Sequence, residues 1–312
     1  MPDLRVGDQL LTVAPATNLL DALLSADIRV PYSCRAGSCH TCMVHCVSGE
    51  LADAKPDALD AQRRQQGWRL ACQCQVQGDV QIELFNPLND ARPATVHSCD
   101  WLSSRVLRLR LTPARPFSYE PGQHLLLWIN QQIARPYSLA SLPDEDPWLE
   151  FHIDCPEQGA FTSLARQLQP GDSVALGELR GGALHYDPDW QAKPLWLLAS
   201  GTGLAPLSGV LREALRQNHQ AEIRLLHLAS AGQHYLAESL KTLANAHPQL
   251  HVSCVTAAEL PAALAGLRLV SRQTQALLCG HPEQVESFAR RLYLAGVPRN
   301  QVFTDLFVPH AR

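Results

Sequence analysis

No long basic run occurs anywhere in the 312 residues, and 26 lysines and arginines against 30 aspartates and glutamates leave a formal net charge of −4. The electrostatic footprint of a nucleic-acid or anionic-membrane binder is therefore missing, and neither is expected as a partner. No stretch approaches the length of apolar sequence that a spanning helix needs. The opening MPDLRVGDQLL also lacks the basic segment and apolar core of a secretory leader. A cytoplasmic protein is the expectation. Nor do the ten cysteines read as a disulfide scaffold, because they are clustered rather than paired, which points to metal work in a reducing compartment. The length exceeds one typical core and indicates two or three domains.

What is present is organised around CRAGSCHTC. Cys34, Cys39 and Cys42 stand as C-x4-C-x2-C, and Cys72, in LACQC, follows far downstream. This is the layout of a plant-type [2Fe-2S] ligand set, three thiolates from one tight loop and a fourth from a distant segment. Ala36, Gly37 and Ser38 leave room for backbone N–H groups to turn toward the sulfurs. A zinc site would favour C-x2-C pairs at both ends, and four cysteines buried as small hydrophobes is the bland alternative. Cys74 would share a face with Cys72 in a strand, but spacing favours Cys72. Cys46, Cys74, Cys99, Cys155 and Cys254 have no evident partner and read as structural or incidental.

Around this loop, residues 1–90 read as a small mixed domain. Gly7-Asp8 is a hairpin turn, Asn18 and Asp21 cap a helix LLDALLSA, and PDALDAQRRQQG reads as a helix with Pro56 in its first turn. WRLACQCQV and DVQIELF read as strands. Pro87, Asn89, Asp90 and Pro93 make a turn-rich joint. Six short strands, TVHSCDWL, RVLRLRLT, YEPGQHLLLWI, RPYSLAS, WLEFHIDC and SVALGEL, then suggest a closed antiparallel barrel over 94–190, interrupted by a helix GAFTSLARQLQPGD. From 191 to 312 strands alternate with helices, the pattern of a parallel sheet with flanking helices. Its first turn is Gly201-Thr202-Gly203-Leu204-Ala205-Pro206, in which Pro206 replaces the last glycine of a dinucleotide fingerprint.

On these residues, 1–90 resembles a plant-type [2Fe-2S] ferredoxin of the beta-grasp kind. His40 stands where such ferredoxins commonly carry glycine, and it reads as a surface histidine rather than a ligand. The barrel resembles the ferredoxin–NADP reductase-like flavoproteins, carried by YEPGQ, Arg135-Pro136-Tyr137-Ser138 and GAFTS in that order. The resemblance implies that Arg135 pairs with flavin phosphate, Tyr137 packs on the isoalloxazine ring and Ser138 lies near N5. It also implies that His152, Ile153 and Asp154 follow the ring with backbone groups, and that Gly159, Thr162 and Ser163 form a phosphate turn. The chemistry suits these roles, since guanidinium forks bind phosphate and tyrosine faces stack on flat rings. Thr162 and Ser163 are also ordinary helix-capping residues. The span from His152 to Ser163 fits FAD better than FMN.

The nucleotide domain resembles that of the same reductases. By that resemblance Gly201, Thr202, Gly203 and Pro206 receive a pyrophosphate, and Cys279-Gly280 lies beside nicotinamide. Asp305 and Phe307 take the places of the family's closing acidic and aromatic residues. Aspartate is shorter than the usual glutamate, and Phe307 reads either as a cover for the ring or as core. After the second strand, ASAGQHYL offers only His234 to a 2'-phosphate, so NADH is expected before NADPH. The whole order resembles the reductase components of bacterial multicomponent oxygenases, such as those serving benzoate dioxygenase and methane monooxygenase. It implies a multidomain α+β and α/β chain, with a beta-grasp domain, a six-stranded flavin barrel and a Rossmann-like sheet. The implied activity is transfer of electrons from NADH through FAD and a [2Fe-2S] cluster to a terminal oxygenase or another one-electron acceptor protein. Ser138, Cys279 and Asp305 would serve hydride transfer. A deoxysugar dehydratase acceptor and a non-catalytic redox-sensing module are the alternatives.

Overall fold

The computed structural model describes residues 1–308 except Val270, so the last four positions of the third expected domain lie outside the described residues. The N-terminal unit is a five-stranded mixed sheet in the order Gln9–Thr12, Asp3–Val6, Val80–Leu84, Met43–Ser48, Trp68–Leu70. Asp3–Val6 pairs parallel with Val80–Leu84, and the other neighbours are antiparallel. Gly7 turns the first hairpin at φ 57°, a conformation that glycine adopts without a Cβ penalty. Helix Leu19–Ser25 is capped by the Asn18 side chain, which accepts from the Asp21 N–H, and it buries Leu19, Leu20 and Leu23 against the sheet. This is the beta-grasp arrangement.

Two local expectations differ. The helix expected from Pro56 is broken into a short 3-10 turn, Pro56–Ala58, and a helix, Ala61–Gln65, because Leu59 is extended and buries its side chain in the core. The strand expected through LACQC is interrupted by a 3-10 turn, Ala71–Gln73, which separates Cys72 from Cys74 in direction as well as in sequence.

The barrel strands run in the order Ala134–Ser138, His124–Trp128, Ser173–Arg180, Arg92–Trp101, Val106–Pro113, Leu149–Asp154, all antiparallel. A bridge between Leu139 and Phe151 brings the outer strands together, and Leu109, Leu111, Leu127 and Phe151 fill the interior. The expected helix is shorter, Ala160–Ala165. The third unit is a five-stranded parallel sheet in the order Leu250–Val255, Ile223–Leu228, Leu195–Ser200, Gln275–Gly280, Val302–Leu306. Separate apolar clusters cover its two faces. The chain reverses direction of growth between Leu195–Ser200 and Gln275–Gly280, which opens a crevice at their carboxyl ends. Helix Leu260–Gly266 and the last strand had no distinct sequence signal.

The ferredoxin core continues into the outer face of the barrel through Leu126, Trp128 and Ala134. Phe85 stacks on Trp128 at 5.2 Å between ring centroids and also meets Trp68 at 5.7 Å. Phe85→Ala should cost about 3 kcal/mol and speed proteolytic cleavage at 86–92 severalfold. Unchanged cleavage would show that this ring does not tie the two domains together.

Candidate functional site

Three residues in the left-handed region, Arg35 (φ 50°), Gly37 (φ 80°) and His40 (φ 55°), curl the cysteine loop so that its N–H groups face inward. The N–H groups of Ala36 and Cys39 donate to the Cys34 sulfur at 3.3 and 3.4 Å, and that of Cys34 donates to the Cys39 sulfur at 3.4 Å. The Thr41 hydroxyl donates to Cys39, and the Gln73 amide donates to Cys72, both at 3.2 Å. The thiols lie in two pairs. Cys39's hydrogen bond pulls the Cys34 pKa down, and Cys42's pulls down that of Cys72. Among the described residues no three metal-ligating side chains converge as a single-ion site. Two dithiol pairs with N–H donors to sulfur are the donor set that a binuclear cluster needs. Cys74 is fully buried in the ferredoxin core and makes no hydrogen bond to these sulfurs among the described residues.

A cavity of about 950 Å³ touches all three units. Arg135, Tyr137, Ser138, His152, Asp154, Gly159 and Thr162 line it from the barrel, and Gly201, Thr202, Asp305 and Phe307 from the nucleotide side. Tyr32, Ser33, Cys34, Ser38 and Cys39 supply the remaining wall. Arg135 donates to the Ala134 carbonyl at 2.7 Å and makes no ion pair among the described residues, while burial pushes its pKa down. A half-buried cation of this kind is suited to an anion such as phosphate. Tyr137 packs on Phe161 at 4.9 Å, leaving a ring on the cavity wall. These features fit a flavin.

Other expected residues lie elsewhere. Ile153 points into the barrel core at 0 % exposure, as alternation demands between the cavity-lining His152 and Asp154. His152 contacts Glu150 at 2.9 Å and the Tyr235 hydroxyl at 3.3 Å, and Asp154 pairs with Arg105. The Ser163 side chain is exposed outside the cavity lining, and its N–H donates to the Gly159 carbonyl. Pro206 is buried in helix Leu204–Arg216 behind the turn. Cys279, at 0 % exposure, lies in the sheet beneath Gly203 and does not line the cavity, whereas its cross-strand partner Asp305 does. Burial raises the Asp305 pKa, and the His124 charge opposes the rise. Phe307 has both expected aspects, lining the cavity and packing on the nucleotide-domain core, with its N–H donating to the Gly280 carbonyl at 2.8 Å.

His40 corrects an expectation outright. It is 2 % exposed, and its Nδ1 lies 2.5 Å from Glu178 on the barrel, because the loop turns it inward. Sequence reasoning also passed over His124, which lines the cavity opposite Ser138 in the ladder. Its place directly after the PGQ turn was the available signal.

Carriers of hydride, of electron pairs and of single electrons would share one space here, an arrangement of use to an electron-transferring oxidoreductase. Family models agree for each unit: a 2Fe-2S iron-sulfur cluster binding domain matches residues 5–77, an oxidoreductase FAD-binding domain 95–184, and an oxidoreductase NAD-binding domain 197–291. The reductase component of the naphthalene 1,2-dioxygenase system of Pseudomonas putida, a ferredoxin–NAD(P)+ reductase, is 30% identical, with 98% of each chain covered. The reductase subunit of an aromatic O-demethylase from an Amycolatopsis species is 30% identical over 97% of this chain and 98% of its own. The crystal structure of the Amycolatopsis cytochrome P450 reductase GcoB superposes with a TM-score of 0.67, at 27% identity and full coverage of both chains. The chain belongs to this family of three-domain iron–sulfur flavoprotein reductases, the ferredoxin–NAD(P)+ reductase components. Among its described residues no helix is long and apolar enough to cross a membrane.

At Gly203 the crevice turn leaves no room for a side chain. A Cβ on Gly203 would stand 2.3 Å from the Cys279 carbonyl oxygen and 2.7 Å from the Gly280 nitrogen, whereas one on Gly232 meets nothing within 4 Å. Gly203→Ala should therefore lower stability by about 2–4 kcal/mol, and Gly232→Ala by about 1 kcal/mol for its positive φ alone. Urea unfolding followed by circular dichroism separates the two.

Proposed function

We propose that this reductase oxidises NADH and delivers the electrons singly to an acceptor protein of an oxygenase system, with Cys34, Cys39, Cys42 and Cys72 as the iron ligands. The observation that carries the reading is the shared cavity, whose wall is built from the cysteine loop, the flavin strands and the nucleotide crevice together. Bound FAD would accept electrons in pairs and release them one at a time, and the cluster would pass them on singly. The protein's own contribution is position. Arg135 offers its guanidinium to phosphate, Tyr137 and Ser138 present a ring and a hydroxyl to the flavin, and Gly159 and Thr162 edge the same wall. Gly201, at φ 56° with open space around it, lets backbone approach a pyrophosphate. Asp305 stands at the nicotinamide side, while Cys279 shapes that floor from beneath. Phe307 lines the same side of the cavity. The acceptor assignment follows the relative that serves the naphthalene 1,2-dioxygenase system. A cytoplasmic setting belongs to the same proposal, since thiolate ligands and NADH both suit a reducing compartment.

NADH is the proposed donor. The segment after Ile223–Leu228 is turned onto the barrel: Gln233 bonds Ser103 and Ser104, His234 contacts the Val255 carbonyl at 3.1 Å, and Tyr235 meets His152. His234, the one basic side chain of that segment, is thus already engaged. Steady-state assays should give kcat/KM for NADPH lower by roughly one to two orders of magnitude, and equal values would remove this assignment.

Anaerobic stopped-flow mixing with NADH should bleach flavin absorbance first and cluster absorbance second. Cys72→Ser should lose iron, inorganic sulfide and the second phase while keeping the first. Cys74→Ser should keep both phases. Full iron in the Cys72 variant would sink the ligand assignment, and a dehydratase acceptor in place of an oxygenase protein would show in reconstitution with each.

A further inference from the structure

A cluster of polar side chains centred on the buried Glu178 joins the cysteine loop to the barrel, and only one of its members, His40, lies within a motif that would hold a carrier, where it is not one of the four thiols. His40 follows Cys39 directly, and its Nδ1 lies 2.5 Å from Glu178 Oε2 and 2.7 Å from Arg180 Nη2. Arg180 donates to the same carboxylate oxygen from Nε at 3.1 Å and from Nη2 at 2.9 Å. Arg63, on the ferredoxin helix Ala61–Gln65, pairs with the other oxygen of Glu178. One carboxylate, with its side chain 8% exposed, is therefore gripped by two residues of the ferredoxin unit and one of its own strand. Burial opposes its ionisation, yet the His40 hydrogen bond and the charges of Arg180 and Arg63 hold it at about 2.

A second observation gives this group a direction. His124 stands opposite Ser138 on one side and Arg180 on the other, so the three share a face of the sheet. Ser138 and His124 line the cavity, Arg180 reaches His40, and His40 is bonded to Cys39, which lines the cavity again. The packed row leads from the flavin wall to the cysteine loop.

We propose that His40, Glu178, Arg180 and Arg63 form an interdomain clasp that positions the cysteine loop on the flavin wall and so sets the rate at which electrons cross to the cluster. The proposal rests on the electron-transfer reading above. Two electrons would enter together from NADH as hydride, leaving NAD+, and would depart one by one through a cluster held by Cys34, Cys39, Cys42 and Cys72 to the acceptor protein, with the hydride's proton released to solvent. Tunnelling weakens steeply with distance, so a loop that drifts slows the second stage and leaves the first untouched. His40 and Glu178 are positioning residues.

The test uses holoenzyme carrying His40→Gly, which relieves the left-handed backbone, and Glu178→Gln. Anaerobic stopped-flow with NADH should show an unchanged flavin phase and a cluster phase at least tenfold slower in both variants. Amide hydrogen exchange over 38–42 should rise at least tenfold, and the double variant should be no slower than the worse single one. A cluster phase at the unmodified rate, in variants with full iron and FAD, overturns the clasp. If His40→Gly fails to retain iron, Glu178→Gln, which leaves the loop sequence intact, decides by the same two phases. Loss of both phases in the unmodified protein would instead overturn the electron-transfer reading itself.

Discussion

The molecule depends on holding a loop of thiols against a flavin barrel across a domain boundary, and a buried carboxylate lies at that boundary. Taking Glu178 out of water costs several kcal/mol by itself. It is offset only because His40, Arg63 and Arg180 together occupy both of its oxygens. Such a group adds little net stability compared with an apolar contact of equal volume, but it tolerates only one arrangement of its partners. The apolar part of the same boundary, Phe85 on Trp128, supplies affinity without that selectivity. Packing brings the domains together, and the charges fix where the loop rests.

At the other wall the constraint is steric. Leu195–Ser200 and Gln275–Gly280 are far apart in sequence yet adjacent in the sheet, so their following turns meet at one point. Gly203 lies over the Cys279 carbonyl, and Gly280, at φ 134°, lies over the Ser200 carbonyl. Each glycine makes room for the other strand's backbone. The two turns thereby meet at the carboxyl ends of their strands, the place where an open parallel sheet receives a pyrophosphate.

Much of this was legible because the cofactor chemistry is written locally. The cysteine spacing, the Arg135–Ser138 segment and the turn from Gly201 are short runs whose residue types follow from what they must touch, and the cavity collects most of them. What escaped was everything decided by packing between distant segments. Leu59 breaks a helix because its side chain is wanted in the core. Cys72 and Cys74 part company because a 3-10 turn intervenes, and Cys279 sinks below the cavity because the sheet closes over it. The burial of His40 could not be read from its neighbours, since its partner lies 138 residues away on another domain.

The backbone at His40 carries its own argument. A non-glycine residue at φ 55° is strained by about 1 kcal/mol relative to glycine. Where the resembled ferredoxins use glycine, this chain accepts that strain and places a ring beside Glu178 instead. A side chain with nothing to do would leave the strain uncompensated, and a glycine would leave Glu178 with one partner fewer in a site that water barely reaches. The two residues make sense only as a pair. The pair spans the junction between the domain that would receive single electrons and the barrel that would supply them.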